Sequence, residues 1–118
     1  MSDNNSFFLK VGDTADPLEA VLTDANGPVD LSAAASVHFK MRESRLLTTK
    51  VDRLAVPDPD QINNKGKVRY FWQDSDVNTD GGFLGEFRVV GLNGKKATFP
   101  NGENYISIDI GFGVRDKP

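Results

Sequence analysis

Cysteine is absent from this 118-residue chain, and histidine occurs once, as His38. The first absence removes disulfides, thiolate metal sites and cysteine nucleophiles together, and nothing points to an oxidising compartment. The second leaves histidine-dependent catalysis and multi-histidine metal sites almost without material. No apolar run approaches the roughly 18 residues of a membrane span, so no membrane partner is expected. The opening Met1-Ser2-Asp3-Asn4-Asn5 has neither the basic nor the apolar region of a secretory signal. Basic runs are missing too, the longest being Lys95-Lys96, and with 17 acidic against 14 basic residues the net charge is −3. A binder that neutralises phosphates needs a basic stripe, so nucleic acid is not an expected partner.

What is present is a folding composition: 38% of the residues are hydrophobic. A chain of this length buries roughly two thirds of its unfolded surface, enough for one core without staples. Apolar residues recur with period two between clusters of Gly, Pro, Asn and Asp, the pattern of short half-buried strands. The expected strands are Phe7 to Val11, Leu18 to Thr23, Val37 to Arg42, Leu47 to Val56, Lys67 to Trp72, Gly85 to Leu92, Lys96 to Phe99 and Tyr105 to Phe112. Their number and spacing predict an all-β fold, a β-sandwich of seven to eight antiparallel strands. Residues 7–114 form the single domain, between a flexible arm at 1–6 and a tail at 115–118.

The alternation assigns faces. Val37, Phe39 and Met41 point inward, as do Val68, Tyr70 and Trp72; Phe87 joins the core, and so do Ile106, Ile108, Ile110 and Phe112. Asn93-Gly94 carries the two-residue type I′ signature that would join its flanking strands. The polar stretch from Pro57 to Gly66 is expected to be a mobile loop. Four apolar residues, Phe8, Val21, Phe71 and Val90, fall on outward faces, and a gathering of such residues marks an interface.

Candidate chemistry is thin. Asp76, Asn78 and Asp80, followed by Gly81, read as the first half of a calcium loop, but the acid expected twelfth would fall at Phe87. The bland alternative is a solvated turn. His38 has no nucleophile or orienting acid to work with. Asp58 with Asp60, or Asp74 with Asp76, supplies paired carboxylates in loops too polar to separate their pKa values. Tyr70, Phe71 and Trp72 suggest a sugar-stacking platform, although alternation turns the first and last of them inward. No catalytic residue and no cofactor is expected.

Three segments resemble a known family. They are Leu9-Lys10-Val11-Gly12-Asp13-Thr14, Leu22 through Leu31, and Ala35-Ser36-Val37-His38-Phe39-Lys40-Met41-Arg42. With Gly66-Lys67-Val68-Arg69-Tyr70-Phe71-Trp72, Gly82 through Phe87 and Thr98-Phe99-Pro100-Asn101, they are similar, in order, to the immunoglobulin-like domain at the N-terminus of phage baseplate upper proteins. The resemblance runs from about Leu9 to Ile110. It implies an immunoglobulin-like sandwich and a non-enzymatic role in a tailed-phage virion. Baseplate upper proteins continue past this domain, whereas this sequence ends at Pro118; the expected roles therefore include a tail, baseplate or neck adaptor and a head decoration protein. The partners implied are other virion proteins and further copies of the chain, as a homo-oligomer or an array on a symmetric particle. The expected interface is Phe8, Phe71 and Val90 with Arg69 and Arg88 beside them. The alternative is a carbohydrate-binding module for the host surface.

Overall fold

Period-two alternation in the sequence becomes strand throughout. The computed structural model describes residues 6–100 and 105–112 and contains eleven β-segments. These are β1 (Ser6–Lys10), β2 (Leu18–Val21), β3 (Thr23–Asp24), β4 (Gly27–Pro28), β5 (Ala34–Glu43), β6 (Thr49–Leu54), β7 (Val56–Pro57), β8 (Lys67–Tyr70), β9 (Gly81–Gly91), β10 (Lys96–Phe99) and β11 (Ile106–Gly111). The count exceeds the expected seven or eight because two expected strands divide and β4, paired with β3, adds a short strand where none was expected. Leu18 to Thr23 becomes β2 and β3, and the stretch up to Val56 becomes β6 and β7. Residues 1–5 of the expected arm and the tail at 115–118 lie outside the described residues, while Ser6 already belongs to β1.

The larger sheet runs β1-β11-β9-β5-β6, with β10 also on β9, and the smaller runs β2-β8-β7. The long β9 has β5 on one side; on the other its first half pairs with β11 and its second half with β10. This is the two-layer arrangement of an immunoglobulin-like sandwich, with strands G, F, C and C′ in one layer and B, E and D in the other. One pairing departs from the all-antiparallel expectation, because β1 lies parallel to β11, Ser6 beside Ser107 and Lys10 beside Gly111. At the opposite edge the chain passes from one sheet to the other: β6 ends at Leu54, Ala55 donates its N–H to the Val37 carbonyl, and β7 begins in the second sheet.

The expected core residues Val37, Phe39, Trp72, Phe87, Ile108 and Ile110 are all buried. Phe39 sits at the centre. Its ring stacks on Tyr70 at 4.7 Å and meets Trp72 edge-on at 5.8 Å and Phe87 at 5.1 Å, so it ties the two layers together. Such offset and edge geometries suit the aromatic quadrupole. Phe112 differs from expectation: it follows the last residue of β11 and is 45% exposed.

The β9–β10 hairpin forms as expected but with a different turn. Val90 faces Lys96, Gly91 N–H donates to the Lys95 carbonyl and Gly94 N–H donates to the Gly91 carbonyl. The loop is therefore Leu92-Asn93-Gly94. Only Gly94 takes the left-handed conformation, at φ +82°. A type I′ turn needs positive φ at both central residues, whereas a three-residue loop needs it at one, where glycine pays no steric penalty.

Candidate functional site

The acid with the most built surroundings is Asp76, which closes a short 3-10 turn, Asp74–Asp76, and is fully buried. Its Oδ2 accepts the Tyr70 hydroxyl at 2.5 Å and the Gln73 N–H at 2.8 Å, and its Oδ1 accepts from the Arg53 guanidinium. Burial, and then the bond to Asp76, push the Tyr70 hydroxyl up to about 12. Next along the chain Val77 enters the core, and Asn78 turns outward to accept from Lys50 Nζ at 2.7 Å. Two cations on β6 thus hold the turn against the sandwich edge. The three calcium candidates do not converge. Asp76 faces inward on an arginine, Asn78 holds a lysine and Asp80 lies exposed. Among the described residues no group of three or more His, Asp or Glu is placed to hold a metal ion.

The stretch from Pro57 to Gly66 is tied down rather than slack. Asp58 Oδ1 accepts the Asp60 N–H at 2.8 Å and its Oδ2 accepts from Arg69 at 3.2 Å; the Asp60 N–H is the leading cause that holds the Asp58 carboxyl below the usual range. Asp60 in turn accepts the N–H groups of Ile62 and Asn63 and the Asn63 side chain, contacts that lower its own pKa. Gln61 is buried at the centre. Its Oε1 accepts the N–H groups of Leu31 and Gly66, and its Nε2 donates to the Asp58 and Lys67 carbonyls. These carboxylates cap turns.

Tyr70 and Trp72 lie in the core, so of the three rings of the sugar platform only Phe71, at 50% exposure, reaches solvent. His38 points outward from β5, its Nε2 3.3 Å from Ser36 Oγ, between Arg88 and Leu54 on the neighbouring strands.

The expected interface divides between two surfaces. Phe8, Arg88 and Val90 stand on the outer face of the larger sheet. Arg69 and Phe71 stand on the outer face of the smaller one, on the opposite side of the sandwich. Even the first three are not together: Phe8 is in line with Gly82 across β11, and eight residues of extended β9, about 27 Å, separate Gly82 from Val90. Val90 is half-buried between Ser36 and Lys96. Arg69 is engaged at home by Glu19 Oε2 at 2.8 Å and by Asp58.

Several exposed apolar residues escape the sequence reading. Leu46 and Leu47 form the tip of the β5–β6 hairpin, with Leu47 in the left-handed region at φ +60°. Ile62 and Leu92 cap other loops, and Leu54 ends β6. Leu46, Leu47 and Ile62 lie in turns, where alternation assigns no face, whereas Leu92, two residues past Val90, and Leu54, three past the buried Val51, occupy outward positions that alternation could have found.

Fold and surfaces together define an immunoglobulin-like β-sandwich. No family model and no curated protein matches this sequence. Among solved structures, CopC from Methylosinus trichosporium OB3b aligns over 94% of this chain and 90% of its own, with a TM-score of 0.54 at 10% sequence identity. A chain in the structure of ICOS in complex with ICOS-L and an anti ICOS-L VNAR domain aligns over 95% of this chain and 56% of its own, with a TM-score of 0.40 at 10% identity. This chain thus spans little more than half the length of that second one. At such identity the CopC likeness is one of fold alone.

Proposed function

We propose that this chain is a non-enzymatic structural and assembly protein of a tailed-phage virion, a tail, baseplate or neck adaptor or a head decoration protein, acting through protein–protein contacts. The family resemblance of the sequence suggests the setting, and the fold it implies is the one found. One structural observation supports the mode of action. The side chains suited to chemistry, Asp58, Asp60, Asp76 and Tyr70, hold the fold together, while Phe8, Leu46, Leu47, Ile62 and Leu92 stand in solvent. Apolar surface left outside is what association removes from water. The carbohydrate alternative loses its platform with the burial of Tyr70 and Trp72.

The test is mass spectrometry of purified particles of the parent phage together with co-sedimentation of added protein. The chain is expected in the particles in a repeated copy number, and its absence would overturn the reading. Arg88 and Phe71 lie on opposite faces, so Arg88→Glu and Phe71→Asp variants report separately on the two surfaces. One is expected to weaken attachment and the other to leave it intact, with both folded.

A further inference from the structure

The two main sheets have five edge strands, four of them guarded against pairing. One of these, β10, is four residues long, opens on Lys96 and runs into Pro100. β2 is four residues long, follows Pro17 and carries Glu19. β6 carries Lys50, Asp52 and Arg53, shifts register opposite Met41/Arg42, and leaves for the other sheet after Leu54. β7 is two residues ending in proline. Short strands, charge, proline and bulges are the features that keep sheet edges from joining other chains. β1 has none of them before its last residue: Ser6-Phe7-Phe8-Leu9 is uncharged, and Lys10 comes at the end.

Its main-chain groups can be assigned to sides. Val11 N–H donates to the Gly111 carbonyl at 2.7 Å, so by alternation Phe7 and Leu9 bond toward β11 while Ser6, Phe8 and Lys10 face away. Lys10 is already engaged, donating its N–H to Asp13 Oδ2 at 3.2 Å and accepting the Asp13 N–H at 2.9 Å. Ser6 and Phe8 keep outward N–H and C=O groups that bond to no described residue, and the Phe8 ring beside them is 76% exposed.

The geometry points to a second copy of this chain on that edge, β1 against β1, antiparallel about a two-fold axis at Phe7. An isologous contact must be self-complementary. A register centred on Phe8 would oppose Ser6 with the partner subunit's Lys10, whose groups Asp13 holds. The register centred on Phe7 opposes Ser6 with the partner subunit's Phe8, and Phe8 with the partner subunit's Ser6, each pair exchanging both N–H···O bonds. Like charges never meet, because the two Lys10 residues fall at opposite ends of the ladder. The two Phe8 rings become diagonal neighbours on one face, within aromatic reach, and the larger sheets of the two copies join into one. The inference deepens the assembly reading and rests on it.

Sedimentation velocity on the intact chain over a range of concentrations is the primary test, with a concentration-dependent dimer expected. Phe8→Pro removes one outward N–H at a position where a monomer tolerates proline. Phe8→Lys places like charges on the joint and carries the test should the proline variant fail to fold. Each is expected to be monomeric with a near-wild-type melting temperature. The chain has no cysteine, so register can be read by cross-linking: Ser6→Cys mixed with Phe8→Cys places sulfurs on residues whose Cα atoms are about 5.5 Å apart, a span a disulfide bridges. The mixture is expected to cross-link, and neither variant alone. A wild-type monomer at every concentration, a dimer indifferent to both Phe8 substitutions, or equal cross-linking by one variant alone would overturn the inference. A monomer that still co-sediments with particles overturns this inference and leaves the assembly reading intact; absence from particles overturns the assembly reading.

Discussion

Tyr70 shows how one side chain can serve two purposes, its ring packed on Phe39 and its hydroxyl on the buried carboxylate of Asp76. Tyr70→Phe keeps the ring and leaves Asp76 short of a donor, a change expected to cost about 1–3 kcal/mol in urea denaturation at neutral pH. The same contact sets an alkaline limit. An exposed phenol ionises near 10, whereas the folded chain keeps the Tyr70 proton up to about 12. The folded state therefore binds more protons across that interval, and stability falls as pH rises through it. Melting temperature followed from pH 9 to pH 12 should decline less steeply in Tyr70→Phe than in the wild type. The ring was legible in the sequence, since Val68, Tyr70 and Trp72 alternate with polar neighbours. The carboxylate was not. Asp76 lies among other turn-forming residues, and its partner Arg53 is 23 residues away in a strand whose pattern was indistinct.

At the scale of elements, the connection before β8 and the middle of β9 each depend on one residue. Gln61 joins the Pro57–Gly66 connection to Leu31, and Gln61→Ala would leave the Leu31 and Gly66 amides buried and unsatisfied. A loss of at least about 2 kcal/mol is expected, with hydrogen exchange at those two amides accelerating more than the average. Gly85 faces the core where β5 and β11 flank β9. A Cβ there would meet Ile108 Cδ1 at 2.9 Å and Phe39 Cε1 at 3.0 Å. Gly85→Ala should therefore cost about 1–3 kcal/mol through overpacking, measured by the same denaturation. Strand positions were largely readable because burial on one face imposes period two. The order within the Pro57–Gly66 connection was hidden, since Asp, Asn and Gln give the same composition whether they are hydrated or cap backbone amides. The three-residue hairpin loop differs from the expected one for a related reason: Asn93-Gly94 fits either turn, and the register of Val90 against Lys96 selects between them.

For the whole molecule, the two layers share one core, and Trp72, just past β8, meets a ring of each, Phe39 at 5.8 Å and Tyr70 at 5.4 Å. Trp72→Ala is expected to remove roughly 3–5 kcal/mol, most of the stability of a small domain, visible as loss of the cooperative melting transition. The sandwich was legible from strand number and spacing; its surfaces were not. Alternation separates inward from outward but does not say which of two outward faces a residue joins, and so it grouped Phe8 with Phe71 across the thickness of the fold. The parallel pairing of β1 with β11 was equally hidden, because it joins segments about a hundred residues apart. That pairing has a mechanical consequence. A pull applied at Ser6 and at Gly111 draws the two strands along each other, so their hydrogen bonds are loaded together in shear instead of being opened in succession from one end. Stretched between those points in a single-molecule instrument, the domain is expected to resist a higher force than when it is pulled apart through the antiparallel β9–β10 hairpin, whose bonds are loaded one after another.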